Sequence, residues 1–214
     1  MLNHLLELIF GFQTGVVTNG WVLHHVLGHH PNYLDQERDQ SRWKRKDGQT
    51  MGEVEYSLFV ALTAYPRAFQ VGKRFPRHQR PFLAMSLCHA MSSSFTFYTI
   101  WVNALFIYAL PMMISLYITS WHTYYHHAGL DTDNDFEASY NNTDKWFDFL
   151  TGNLGCHTAH HARPALHWSK LREFHREIES RIPARLYRRA APPFCWLAPL
   201  LRNAGRVFRP MLGD

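Results

Sequence analysis

Three clusters of histidine stand out in the sequence because their spacing is typical of metal ligands. The clusters read HHVLGHH at residues 24–30, HTYYHH at residues 122–127 and HTAHH at residues 157–161. Residues four apart share one face of an α-helix, so two histidines at this spacing can direct their imidazoles towards one point. The pairs with this spacing are His25 and His29, His122 and His126, and His157 and His161. Isolated core or surface histidines are the alternative for any one cluster, but three clusters together favour a metal site.

The type of ligand narrows the choice of metal and of chemistry. Imidazole nitrogen suits iron, copper, zinc and nickel, whereas structural zinc sites usually combine histidine with cysteine. Cys156 adjoins the third cluster, but its neighbour His157 already begins the motif, so we do not expect a cysteine ligand. The clusters contain no carboxylate that could act as the general base of a zinc hydrolase, which disfavours that class of enzyme.

The clusters resemble the histidine boxes of the integral-membrane fatty acid desaturase and hydroxylase superfamily, whose boxes of the forms HxxxH, HxxxHH and HxxHH hold a non-haem di-iron centre. Residues 24–35 are similar to the second box and its following loop, and NLGCHTAHHARP at residues 153–164 is similar to the third. His122 and His126 resemble the fourth-helix signature of that family. The GHH of the first cluster and HHAGL at residues 126–130 are also similar to membrane alkane hydroxylases. The resemblance covers roughly residues 20–175.

The resemblance implies a set of iron ligands, and no catalytic residue beyond them. The implied ligands are His25, His29, His30, His122, His126, His157, His160 and His161. His122 stands where relatives often carry Asn, so it binds iron either directly or through water. His24 stands where alkane hydroxylases carry Glu, and we expect it to support the ligands, with His127 and Asn153 as weaker candidates. Asn153 lies four residues before His157, where it orients a ligand or caps the helix.

One motif of that family is not found in the sequence. The first box is expected a few tens of residues before the second, yet His4 is the only histidine upstream of His24. Two interpretations follow for the N-terminal end: the chain is a shortened version without the first box, or other residues complete the site.

A long apolar segment predicts that the chain is embedded in a membrane. Residues 82–121 contain no Asp, Glu, Lys or Arg, which is about twice the ~20 residues that a helix needs to cross a bilayer. We expect a hairpin of two transmembrane helices with its turn near Ala109, because Pro111 would break one long helix but is tolerated in the first turn of a second. Residues 2–23 are a weaker third span, in which three glycines would allow close helix packing.

The charge pattern predicts on which side of the membrane the ends of the hairpin lie. Both ends of a hairpin emerge on one face of the membrane, and the basic run KRFPRHQR at residues 73–80 marks that face as cytoplasmic. Residues 163–214 carry eleven Lys and Arg against four acidic residues, an excess that suits anionic headgroups. Nucleic acid is not an expected partner, since no nucleic-acid-binding motif is present. We expect a desaturase-like domain at residues 1–175 and a basic cytoplasmic or interfacial tail at residues 176–214, with residues 192–201 in the interface.

These features predict an all-α integral membrane protein with a transmembrane hairpin and a cytoplasmic cap of histidine-rich helices. The resemblance implies that the function is desaturation of a fatty acyl chain by an iron- and oxygen-dependent oxidoreductase with two irons. Hydroxylation of an alkyl or acyl chain shares the hydrogen-abstraction step and is one alternative, and a catalytically inactive, truncated homologue is another.

The substrate and the electron donor follow from the same reasoning. The expected substrate is a membrane lipid or an acyl chain, free or carried as acyl-CoA or on acyl-carrier protein. Four aromatic side chains line its tunnel or face the lipid, namely Phe95, Phe97, Tyr98 and Trp101. No dinucleotide-binding or haem-attachment motif is present, so a separate protein such as ferredoxin or cytochrome b5 must supply electrons.

Overall fold

All regular elements of the described chain are helices, as predicted. The computed structural model describes residues 2–189, with side chains from residue 6 onward, so the apolar segment at residues 192–201 lies outside the described residues. The chain divides between Gly129 and Leu130 into two compact units. Among the described residues, β-structure is limited to isolated bridges, such as the one between Lys44 and Thr50.

The first helix of the N-terminal unit is short. Helix α1 spans Leu2–Thr14 and ends at Gly15, whose positive φ of 72° is a backbone conformation that glycine adopts at little cost. Thirteen residues of α-helix reach about 20 Å, less than the roughly 30 Å of a bilayer core. Residues 2–23 therefore do not form the single spanning helix that the sequence predicted. Gly15 does allow close packing, because a Cβ there would collide with the side chain of Met112.

A helix that the sequence analysis did not predict supports the histidine-bearing segments. Helix α2 spans Glu53–Gly72, and the carboxylate of Glu55 accepts a hydrogen bond of 3.1 Å from the amide of Gly52 at its N-terminus. The rings of Tyr56 and Tyr124 pack with their centroids 5.1 Å apart, which holds α2 against the helix that carries the second histidine cluster. The helix is half polar, with several exposed apolar residues, so it shows neither the uniform apolarity of a span nor a clean amphipathic pattern.

The long apolar segment is helical throughout. Helix α3 spans Pro76–Ala104, a π-helical turn follows at Leu105–Ala109, and α4 spans Leu110–His127. The stretch Pro76–His127 is long and apolar enough to cross a membrane, and only 6% of its most apolar window is buried within the chain. Its apolar side chains are therefore left for an apolar surrounding such as lipid.

The backbone of this stretch leaves the helical region at Ile100, where φ is −142° and ψ is 57°. The ring of Phe12 contacts both His89 and Tyr108, at centroid distances of 5.3 and 6.2 Å. His89 and Tyr108 would be about 28 Å apart in a straight helix, so the chain bends back between them. The bend lies at Ile100 and not near Ala109 as predicted, because the π-helical turn before Pro111 lets the helix continue through the proline.

Short helices form the second unit around a small apolar core. Helix α5 spans Lys145–Thr151, α6 spans His157–Ala162 and α7 spans Leu171–Ile178, and three single 3₁₀ turns complete the unit at Trp168–Lys170, Glu179–Arg181 and Ala184–Leu186. Asp144 caps α5 by accepting hydrogen bonds from the amides of Trp146 and Phe147. The core comprises Cys156, Ala159, Leu171, Phe174, Ile178, Ile182 and Leu186.

Candidate metal centre

A π-helical turn at Val22–Val26 sets the register of the first histidine cluster. The amide of His30 donates to the carbonyl of His25, five residues earlier, at 3.0 Å. The Nε2 atoms of these two histidines lie 3.1 Å apart. His25 and His29 share one face, as their spacing of four predicted, and their rings stack with centroids 5.2 Å apart. The spacing did not predict that Nε2 of His25 also faces Nε2 of His30. A π turn brings residues five apart into line, which explains this second contact.

His29 forms a second pair with a histidine that was only a weaker candidate. Its Nε2 lies 3.3 Å from the Nε2 of His127, at the end of α4, and both side chains are buried. The other ring nitrogen of His29, Nδ1, lies 2.9 Å from a carboxylate oxygen of Asp39. Asp39 could not be predicted from the sequence, because Asp35 and Glu37 lie in the same loop and nothing in the spacing distinguishes the three acids.

The remaining histidines of the second cluster lie together on α4. The rings of His122 and His126 stack with their centroids 5.1 Å apart, as their spacing of four predicted. His126 is fully buried, and the ring of Tyr125 contacts it edge-on. His127, one residue further, faces His29 instead, since adjacent helical residues point in directions about 100° apart.

His24 lies next to the ligand candidates but in a different environment. Burial, assisted by the nearby charge of Arg67, lowers the pKa of His24 to about 3. Its Nε2 atom is buried and has no hydrogen-bond partner among the described residues. The imidazole is therefore neutral at physiological pH.

The third cluster forms most of α6, a helix of six residues. The ring centroids of His157, His160 and His161 lie 4.9 to 5.5 Å from one another. Nδ1 of His157 lies 3.3 Å from the carbonyl oxygen of Leu154, so a proton on Nδ1 would leave Nε2 as an electron-pair donor. His157 and His161 are buried, and His160 is partly exposed.

A buried asparagine fixes the position of α6. The side-chain amide of Asn141 donates to the hydroxyl of Thr158 at 2.8 Å and accepts from the backbone amide of the same residue at 3.0 Å. The amide of Asn142 donates to the carbonyl of Gly155 at 2.8 Å. A Cβ on Gly155 would collide with the Asn142 carbonyl, so only glycine allows this approach.

The acid and the thiol beneath the third cluster are structural. Burial raises the pKa of Asp148, although the guanidinium of Arg172, which forms a salt bridge with it, opposes the shift. Burial, with the neighbouring Asp148, raises the pKa of Cys156 to about 12. A thiol with this pKa stays protonated and is a poor metal ligand. Asn153 adopts a positive φ of 62° and donates from its side chain to the carbonyl of Trp168, and the cap of α6 is Cys156.

An apolar cavity in the N-terminal unit reaches the first cluster. The space between its walls is about 560 Å³ when the open solvent at its mouth is counted. Apolar atoms dominate its wall, which includes Val17, Ala64, Tyr65 and Phe82, with His24 and His25 also in the lining. The aromatic residues proposed as tunnel walls do not line it. Phe95, Tyr98 and Trp101 are 69%, 90% and 65% exposed, and Phe97 is 38% exposed, which favours the lipid-facing alternative.

The arrangement of nitrogen atoms in the N-terminal unit fits a metal such as iron. Two Nε2 atoms at 3.1 Å, and two more at 3.3 Å, face each other within buried or half-buried surroundings. When each of these four histidines carries its proton on Nδ1, its Nε2 has a free electron pair. The two electron pairs of each contact then point towards each other, an arrangement that a bound cation stabilises. The contact of His29 Nδ1 with a carboxylate is typical of metal-binding histidines.

The family comparison agrees with these observations. A model of the fatty acid desaturase family matches residues 1–192. No curated protein and no solved structure matches the chain. The family match includes all three histidine clusters, the long apolar helical stretch, the whole N-terminal unit and the second unit as far as residue 192. The chain therefore belongs to the fatty acid desaturase family, within the membrane desaturase and hydroxylase superfamily that its histidine motifs resemble.

Proposed function

We propose that the protein is a membrane oxidoreductase that desaturates a fatty acyl chain with iron and dioxygen. The observation that carries this proposal is the pair of facing Nε2 contacts, His25 with His30 and His29 with His127. The proposed ligands also include the histidines of the other clusters, namely His122, His126, His157, His160 and His161. Bound iron, two ions per chain by resemblance, supplies the activation of dioxygen and the removal of hydrogen from an unactivated carbon, which no side chain can perform.

The cavity beside His25 supports an alkyl chain as the substrate. Its wall is formed by residues of the 15–25 segment and of α2, α3 and α4, and most of them present apolar atoms. An acyl chain in this cavity would bury apolar surface at about 25 cal/mol per Å². The wall would exclude water from the reacting carbon, while Trp21, stacked on His25 at 4.2 Å between centroids, would hold that imidazole in place.

The proposal places the hairpin across the membrane. From Ile100, the two arms 76–99 and 101–127 would extend about 36 and 40 Å, so each exceeds the roughly 30 Å of the bilayer core. Both arms would then end on one face of the membrane, which the basic run at residues 73–80 favours as cytoplasmic. A lipid or carrier-bound acyl chain would enter from that side, and a separate ferredoxin or cytochrome b5 would deliver electrons there.

The family favours desaturation over hydroxylation, and product analysis distinguishes them. Both reactions take two electrons from the donor and consume one dioxygen. Desaturation removes two hydrogens from the chain and yields two waters, whereas hydroxylation inserts one oxygen atom and yields one water. Purified protein supplied with an electron donor, oxygen and long-chain acyl substrates should therefore give products that lack two hydrogens, detected by mass spectrometry.

The iron site itself is tested by metal analysis. A His25→Ala/His30→Ala variant should lose most of its bound iron, because a complete nitrogen pair is removed. A matched His78→Ala/His167→Ala variant removes two imidazoles that bond to Asn19 and Ser169, and its iron content should be unchanged. Iron per chain is measured by elemental analysis after purification in detergent. Equal iron in wild type and in the first variant would overturn the ligand assignment.

A further inference from the structure

A buried carboxylate lies behind one of the facing nitrogen pairs. Asp39 is only 4% exposed and His29 is fully buried. One carboxylate oxygen of Asp39 lies 2.9 Å from Nδ1 of His29, and the same oxygen accepts a hydrogen bond of 2.8 Å from the amide of Ser41. Among the described residues, His29 is the only basic side chain with a nitrogen within 4.0 Å of the Asp39 carboxylate.

Several interactions hold Asp39 in this position, ten residues beyond the histidine that it contacts. The hydroxyl of Tyr56 on α2 donates to the carbonyl of Ser41 at 2.8 Å, and the guanidinium of Arg67 donates to the carbonyl of Gln40. The loop can approach the π-helical turn because residue 28 is glycine. A Cβ on Gly28 would lie 2.6 Å from both the Gln40 side chain and the His24 carbonyl.

Burial of a carboxylate is costly unless its charge is compensated and its oxygens are hydrogen-bonded. Two hydrogen bonds to one oxygen of Asp39, from the Ser41 amide and from Nδ1 of a neutral His29, offset part of this cost. His29 in turn points its Nε2 at the Nε2 of His127. A carboxylate that accepts the Nδ1 proton of an imidazole fixes its tautomer and its orientation, and it makes the opposite nitrogen a stronger electron-pair donor.

We infer that Asp39 is a positioning residue for iron, acting through His29. The carboxylate holds the proton on Nδ1 and thereby keeps the lone pair of Nε2 directed towards His127. This inference rests on the proposed function, since it assumes that His29 is an iron ligand. It assigns to a loop acid a part in metal binding that the histidine motifs do not include.

An Asp39→Asn substitution tests the inference with little change in size. The uncharged amide removes the negative charge behind His29, so iron affinity should fall roughly 10- to 100-fold. The affinity is measured on the full chain by competition with a chelator, and Co²⁺ absorption bands report the change in ligand field. Asp35→Asn is the matched control: Asp35 bonds to the amides of Glu37 and Arg38 in the same loop, and its loss should leave the affinity unchanged.

A double-mutant cycle separates metal positioning from a purely structural role. In a His29→Ala background, Asp39→Asn should change iron affinity by less than about twofold, because the group through which Asp39 acts is gone. Unchanged affinity in Asp39→Asn, or equal losses in both backgrounds, would overturn the inference. If wild-type protein binds no iron, the proposed function itself fails, and thermal unfolding of the metal-free variants shows whether Asp39 only stabilises the loop.

Discussion

The direction of individual ring nitrogens defines this site more closely than the positions of the histidines along the chain. The spacing of four predicted that His25 lies beside His29 and that His122 lies beside His126, and both pairs of rings stack. It did not predict that His25 pairs with His30, because a π turn cannot be distinguished from an α turn by the pattern of residues. The spacing also indicated His127 only as a weaker candidate, because its contact with His29 joins residues 98 positions apart in the chain.

At the residue scale, Gly155 offers a test of how the third cluster is positioned. A Gly155→Ala variant places a Cβ against the Asn142 carbonyl and 2.5 Å from a carboxylate oxygen of Asp148. The Asn142 backbone and the buried Asp148 carboxylate cannot move aside without a large loss of free energy. The free energy of unfolding of the second unit should therefore fall by about 1–3 kcal/mol. Thermal unfolding followed by circular dichroism measures the loss.

The control for this change is Gly20→Ala in the N-terminal unit. A Cβ there would contact Phe82 and Val17 at an ordinary 3.7 Å, so the melting temperature should change little. If Gly155→Ala melts at the wild-type temperature, the close approach of the chain at Gly155 is not required for folding.

At the scale of elements, α2 is the helix that the sequence analysis missed and on which the site most depends. Its residues anchor the Asp39 loop through Tyr56 and Arg67, and its inner face forms part of the cavity wall. Its role could not be predicted because each of these contacts joins residues 15 or more positions apart. The apolar stretch, by contrast, was predictable from composition alone, although the position of its bend was not.

The cavity beside His25 makes a prediction about substrate turnover. Ala64 on α2 lines this cavity, so Ala64→Phe would fill it with a ring. Turnover of a long acyl substrate should fall at least ~10-fold while bound iron stays constant, because the chain can no longer reach the reacting position. Steady-state kinetics and elemental analysis of the same sample provide the two measurements.

Leu62→Phe is the matched control on the same helix. Leu62 is 65% exposed, so added bulk there points away from the cavity and should leave turnover unchanged. A loss of turnover in both variants, or in neither, would mean that the substrate does not occupy this cavity.

At the scale of the whole molecule, the distribution of apolar surface sets the surroundings in which the chain is stable. Few residues in the most apolar part of the helical stretch are buried within the chain, and basic residues precede it. The sequence showed both features directly. The non-helical backbone conformation at Ile100 could not be predicted from the sequence, because no proline or glycine marks that position.

The proposed topology can be tested with reporters on the N-terminal unit. Epitopes at Lys73 and after the exposed Gly129 should both be detected from the cytoplasm, since they flank the two arms of the hairpin. A single cysteine at Thr99, in a chain whose native cysteines are replaced, should react with an impermeant reagent from the opposite side. Detection of the two epitopes on different sides would contradict the hairpin.

The burial of Asn141 has a consequence for covalent modification. Asn141, Asn142 and Thr143 form an acceptor sequence for N-linked glycosylation, which requires an accessible side chain. In the folded chain the amide of Asn141 is fully buried and bonded twice to Thr158, at the helix that carries the third histidine cluster. A glycan on this nitrogen would displace α6, so glycosylation at Asn141 and the folded third cluster are mutually exclusive states of the protein.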